Sequence, residues 1–153
     1  MTGVRARPKI KVLYLCTGNS CRSQMAEAWT RHLKGDRIEP YSAGVEARGL
    51  DPSAVRVMAE AGIDISGQKS KLIDELPDQD FDWVVTLCDQ AREACPVFPA
   101  KTKTLHLRFD DPPYLAASAA SEEEALGHYR RVRDEIKATV EDMPDNLARL
   151  KGT

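Results

Sequence analysis

Cys16 and Arg22 stand six residues apart with Gly18 and Asn19 between them, an arrangement suited to nucleophilic attack on a bound oxyanion. A thiol of ordinary pKa, roughly 8.5, is only a few per cent thiolate at neutral pH. Loop amides, a helix N-terminus and a guanidinium all favour the anion, and such settings bring a thiol down to about 3.5–7.5. Gly18 and Asn19 are residue types that readily adopt positive φ, so the loop can curl and aim successive N–H groups into one concavity. Thr17, Ser20, Cys21 and Ser23 complete this cradle. Arg22 adds a planar fork of donors matched to two oxygens of a tetrahedral anion. Spacing alone is a weak signal: a cysteine followed by an arginine is also met as a buried strand-end thiol and a surface charge.

The flanking elements carry the argument. Ile10, Val12, Leu13, Tyr14 and Leu15 form a β-favouring apolar run leading into the loop. Met25, Ala28, Trp29, His32 and Leu33 recur at helical spacing after it, and Gly35 closes that helix. A short second strand is expected over 38–42, weakened by Pro40, with a turn at Ser42-Ala43-Gly44. Asp51-Pro52 opens a helix whose apolar positions are Val55, Met58, Ala59 and Ala61, ended by Gly62. A short helical piece over 70–76 stops at Pro77. Strands are expected over 81–88 and 103–107, and Asp110-Asp111-Pro112-Pro113-Tyr114 reads as loop. Ser121 and Glu124 form a capping box for the last helix. Its stripe of Leu126, Tyr129, Val132, Ile136, Val140, Met143, Leu147 and Leu150 reads as core packing, broken or kinked at Pro144.

Strands alternating with helices predict an α/β fold: a three-layer sandwich with a four-stranded parallel sheet flanked by helices, binding ligands at the carboxyl ends of its strands. The 153 residues make one domain over 10–153, with 1–9 a loose tail. The chain is 42% apolar and 30% charged with a net charge of −2, which points away from nucleic acid and anionic membranes. No apolar run reaches a membrane span and no signal-peptide core is visible, so a cytoplasmic location is expected. In that reducing compartment the four cysteines are read as functional rather than as structural disulfides.

Cys88 ends the third predicted strand as Cys16 ends the first. Parallel neighbours about 4.8 Å apart would bring both thiols to one sheet edge. Cys95 follows a helix-favouring segment, and in a helix the two cysteines would lie about 10.5 Å apart along the axis. A disulfide needs Cα atoms within about 4.4–6.8 Å, so either the pair never bridges or the segment unwinds when it does. Both are otherwise small buried hydrophobes. His32, His106 and His128 fall at no ligand-like spacing to the cysteines, so no metal is expected.

These residues resemble those of the thioredoxin-coupled arsenate reductases, built on the low-molecular-weight protein tyrosine phosphatase fold. The likeness runs from Lys11 to about Lys151. It rests on Cys16-Thr17-Gly18-Asn19-Ser20-Cys21-Arg22-Ser23, on Gln24-Met25-Ala26-Glu27 and on Ser42-Ala43-Gly44. Val85-Thr86-Leu87-Cys88, Cys95-Pro96, Asp110-Asp111-Pro112 and the segment 129–136 match as well. The Cys88/Cys95 pair separates the reductases from the phosphatases.

The resemblance implies a three-thiol relay without a cofactor. Arsenate, with phosphate or sulfate as competitors, occupies the loop; Cys16 attacks arsenic and Asp111 protonates the leaving oxygen, Asp110 being the lesser candidate. Cys88 then attacks Cys16, arsenite leaves, and Cys95 takes over Cys88 to leave a Cys88–Cys95 disulfide for thioredoxin. Ser23 would donate to the Cys16 sulfur and Asn19 would shape the loop, while Cys21 is unused. A monomer is expected. Some members of the family hold a monovalent cation on positions matching Asn19, Glu27 and Ser42 plus an aspartate; here that last position is Lys71, whose ammonium could replace the cation. The alternatives are a phosphatase, disfavoured by Pro113-Tyr114 where phosphatases carry two aromatics, and a non-enzymatic oxyanion or redox sensor.

Overall fold

Successive side chains of a strand point to opposite faces, so a strand buried at every residue must be covered on both. β1 (Ile10–Cys16) is such a strand from Val12 onward. The computed structural model, which describes residues 8–76 and 80–151, sets it second in a four-stranded sheet. The order is β2-β1-β3-β4, with β2 (Ile38–Gly44), β3 (Trp83–Thr86) and β4 (Lys103–His106) all parallel to their neighbours. Cys16 pairs with Gly44 on one side, and Leu15 with Thr86 on the other. Pro40 is accommodated because β2 is an edge strand.

Helices complete the layers. α1 (Arg22–Lys34) packs on β1 and β2 and against α5 (Glu122–Glu141), which also meets α2 (Pro52–Glu60) and α4 (Pro112–Ala116). α3 (Asp89–Glu93) lies on β1 and β3, and α6 (Leu147–Lys151) on β4. This is the expected doubly covered parallel sheet. The final stripe is core as predicted up to its last member: Leu126, Tyr129, Val132, Ile136, Val140, Met143 and Leu147 are buried, Leu150 is partly buried, and the chain restarts as α6 after Pro144. Among the described residues no helix is long and apolar enough to cross a membrane.

Several local expectations give way. Ser42-Ala43-Gly44 is not a turn; β2 runs to Gly44, extended by its pairing with β1. β3 stops at Thr86, so Cys88 lies just beyond it and N-caps α3. Residues 112–116 form α4 rather than loop, because proline at a first helical turn lacks only an N–H that the helix leaves unused. α2 buries Ala54, Val57 and Met58, leaving Ala59 and Ala61 exposed. The piece around 70–76 is a single 3-10 turn, Ile73–Glu75. Gly35 closes α1 with φ −61°, and a Cβ there would come within 2.5 Å of the Arg31 carbonyl. The capping box at Ser121 is half formed: its hydroxyl accepts from Glu124 N–H at 3.1 Å, while the Glu124 carboxylate accepts from Ala120 N–H. Residues 1–7 of the expected tail, and Pro77, lie outside the described residues.

Candidate active site

The loop that joins β1 to α1 turns its carbonyls outward. Cys16, Thr17, Gly18 and Ser20 accept hydrogen bonds from the N–H groups of Val45, Glu46, Arg48 and Asp51 at 2.9–3.2 Å. The segment 45–51 is therefore a strap along the back of the loop. Carbonyls fixed on the outside leave the loop amides and the uncapped start of α1 to the inside, where α1 carries no acidic residue in its first turn. Asn19 takes the positive φ, 48°, as its type allows. Gly18 does not; its missing Cβ makes room for the Arg48 side chain, whose Cδ would stand 2.7 Å away. Gly44 is needed for the same reason against backbone, with Asn19 N and Thr17 O each 2.8 Å from a Cβ placed there.

A chain of directed hydrogen bonds ends on Cys16. Lys71 N–H donates to Asn19 Oδ1 at 2.9 Å, which fixes that amide so that Nδ2 donates to Ser23 Oγ at 2.8 Å. With its oxygen so occupied, the Ser23 hydroxyl has its single hydrogen for Cys16 Sγ, 2.9 Å away. Cys16 is 3% exposed, at the floor of a cavity of about 390 Å³. Arg22, the first residue of α1, lines that cavity; its Nη1 donates to Phe109 O at 3.0 Å and its Nη2 lies 3.6 Å from Asp111 Oδ1. Asp111 stands at the N-cap of α4 but its side chain caps nothing, leaving a half-exposed carboxylate at the cavity wall. Asp110 instead pairs with Arg131 at 3.1 Å and does not line this cavity. The adjacent residues are thus divided, Asp111 to the cavity of Cys16 and Asp110 to α5.

The other cysteines fall into three settings. Cys21 is buried at the N-cap of α1, and burial pushes its thiol well up, with Asp51 adding to the shift. Such a thiol stays neutral. Cys88 is brought alongside β1 because the pairing continues past β3, Leu87 N–H donating to Leu15 O at 2.9 Å. Its sulfur meets the Thr17 hydroxyl at 3.0 Å and accepts from Ala91 N–H at 3.4 Å. Cys95 follows α3, partly buried, in a separate cavity of about 280 Å³ that it shares with His106 and Arg92. Burial raises its thiol pKa. All four cysteines are free.

Lys71 occupies the expected cation position. Its ammonium lies 3.5 Å from Ser42 Oγ, 3.8 Å from Glu27 Oε1 and 3.1 Å from Lys69 O. The Ser42 hydroxyl donates to Glu27, so both acceptors are locked in place. Burial lowers the lysine's pKa, opposed by the Glu27 charge.

Sequence reasoning missed several supports. Gln24 is fully buried and donates to Asn19 O at 2.9 Å and Lys69 O at 3.0 Å, while Gln68 donates to Gln24 Oε1 at 2.7 Å. Ser70 Oγ donates to Gly18 O at 3.0 Å. His106, read as an ordinary residue, bridges Thr86 Oγ1 at 2.8 Å and Asp89 Oδ1 at 3.2 Å, where α3 begins beside Cys88. For Gln24 the sequence signal was its place in the Gln24-Met25-Ala26-Glu27 stretch of the resemblance, which does not say what the side chain touches.

Comparison with known proteins agrees with this geometry. The family model for low molecular weight phosphotyrosine protein phosphatase matches residues 11–152. The arsenate reductase of Bacillus subtilis (strain 168) is 52% identical over 127 residues, covering 82% of this chain and 89% of that protein. The arsenate reductase of Shouchella clausii (strain KSM-K16) is 53% identical over 133 residues, covering 85% of this chain and 92% of its own. A solved structure described as an arsenate reductase in the phosphate binding state superposes with a TM-score of 0.67 at 32% identity, over 92% of this chain and 98% of that one.

Proposed function

The chain belongs to the low molecular weight phosphotyrosine protein phosphatase family, and we infer that within it this chain is an arsenate reductase. The observation that carries the reading is the second thiol at the rim of the loop: Cys88 Sγ lies 3.0 Å from Thr17, the residue next to Cys16. Hydrolysis of a phosphoester has no use for that sulfur, whereas reduction of an oxyanion needs two electrons from a thiol pair.

The steps follow from the placement of the groups. Arsenate enters the loop against the amides and Arg22. Cys16 Sγ attacks arsenic, and the departing hydroxyl of the arsenate takes a proton from Asp111 and leaves as water. Cys88 Sγ then attacks Cys16 Sγ; the sulfur–sulfur bond forms, the sulfur–arsenic pair returns to arsenic, and arsenite leaves. Cys95 attacks Cys88, moving the disulfide to Cys88–Cys95 and freeing Cys16. The dithiol of thioredoxin, exchanged through a mixed disulfide, restores both thiols. The enzyme acts as a monomer in the cytoplasm, where the four thiols stay reduced between turnovers. Phosphate is nearly isosteric with arsenate, so slow cleavage of aryl phosphates accompanies the main activity.

Steady-state NADPH oxidation with arsenate, thioredoxin and thioredoxin reductase tests this on wild type and Cys95→Ser. Turnover by wild type, with Cys95→Ser stalling after one equivalent, supports the relay. Two inert proteins that cleave an aryl phosphate quickly would make the chain a phosphatase instead.

A further inference from the structure

Arg48 has no part in the relay, yet it lines the same cavity as Cys16, Arg22 and Asp111. Its backbone N–H donates to Gly18 O at 3.0 Å and its aliphatic stem lies on the face that Gly18 leaves open. Its side chain is more than half exposed, and Nε pairs with Glu46 Oε2 at 2.6 Å. Arg22 is the opposite case: buried, and fixed by Phe109 O and Asp111. The cavity thus has a deep, fixed guanidinium and a shallow, lightly held one.

We propose that Arg48 is a second oxyanion-binding residue, which exchanges Glu46 for the incoming arsenate and passes the anion to the loop amides and Arg22. The proposal deepens the arsenate reading and rests on it for the identity of the anion. Three observations support it. The chain carries a net charge of −2, so an anionic substrate needs a local positive focus. An exposed ion pair such as Arg48–Glu46 contributes little to stability, so exchanging one carboxylate for a dianion is easy. The guanidinium fork fits two oxygens of a tetrahedral anion, as Arg22 does from below.

The test is arsenate KM and kcat at low ionic strength for wild type, Arg48→Gln, Arg48→Lys and Glu46→Gln. It is run beside a readout without turnover, protection of Cys16 from iodoacetamide by inorganic phosphate. Arg48→Gln is expected to raise KM and the protecting phosphate concentration about tenfold with kcat within about twofold, since exposed charges act on capture rather than chemistry. Glu46→Gln should lower both by about two- to threefold, and the differences should shrink in molar salt as charges are screened. Arg48→Lys keeps the charge but loses the two-point fork, so its KM and protecting phosphate concentration should fall between those of wild type and Arg48→Gln; Glu46→Gln, which leaves Arg48 in place and frees it, decides the matter if Arg48→Gln proves poorly folded. Phosphate protection within about twofold of wild type in Arg48→Gln, or loss confined to kcat, overturns the proposal. If wild type fails to reduce arsenate but protection still depends on Arg48, anion capture stands and only the substrate reading falls.

Discussion

The Thr17 hydroxyl lies 3.0 Å from the Cys88 sulfur, joining positions 71 residues apart. One hydroxyl thus links the loop of the first attacking thiol to the second. Ala91 N–H donates to the same sulfur from α3 at 3.4 Å, so Cys88 is held from both sides. Thr17→Val keeps the shape and removes the hydroxyl. It should slow formation of the Cys16–Cys88 disulfide roughly three- to tenfold, the worth of about one neutral hydrogen bond. Single-turnover mass spectrometry of alkylated thiols would show this; an unchanged rate would mean the contact does not help the second attack.

Cys95 should make recycling favour alkaline pH. Burial raises its thiol pKa, so below that value it is mostly protonated and a poor nucleophile. The thiolate fraction then grows about tenfold per pH unit until the raised pKa is reached, and transfer of the disulfide to Cys88–Cys95 should accelerate with it. Rapid-quench trapping across neutral to alkaline pH measures this. A rate that falls as pH rises would contradict it.

Lys71 should make the enzyme indifferent to the choice of monovalent cation. Its ammonium already stands against Glu27, Ser42 and Lys69 O. Rates in sodium and potassium salts of equal ionic strength should agree within about a third, because a fixed charge leaves little for a dissolved cation to add. Lys71→Ala should lose activity and regain part of it with potassium. Several-fold activation of the wild type by potassium would defeat the idea.

Two glycines should differ in what they tolerate. A methyl at Gly44 meets Glu46 O, Asn19 N and Thr17 O, all backbone, so Gly44→Ala should cost about 1–3 kcal/mol or more and distort the loop. A methyl at Gly18 meets only the flexible Arg48 stem, so Gly18→Ala should cost less than about 1 kcal/mol. Urea midpoints at constant slope compare them. Equal losses would show that the strap yields as readily as a side chain.

The strand, loop and helix around Cys16 were legible because apolar periodicity and turn chemistry agree there over a long stretch. So was the stripe on α5, about four turns of consistent spacing from Leu126 to Val140. α4 was not legible: Pro112-Pro113 reads as a breaker unless it is known to sit at a helix start, and five residues show no periodicity. The back of the loop was hidden too. Its bonds from Val45, Glu46, Arg48 and Asp51 are backbone bonds, which leave no trace in residue type. Gln24 was legible as part of a motif, but its burial against Asn19 is a role fixed only by tertiary contact.

The strap of residues 45–51 also governs the order in which this enzyme would fail. It ends at Asp51, which caps α2 through Ser53 N–H and accepts from the Tyr129 hydroxyl on α5. The oxyanion cradle is therefore bolted to two long helices of the core. The opposite wall, with Cys88 and α3, is a five-residue helix that buries only Ala91. Parts held by few buried groups open first. Mild heat or denaturant should thus silence recycling while the cradle still holds its anion, leaving an enzyme that binds its substrate and cannot let the electrons through.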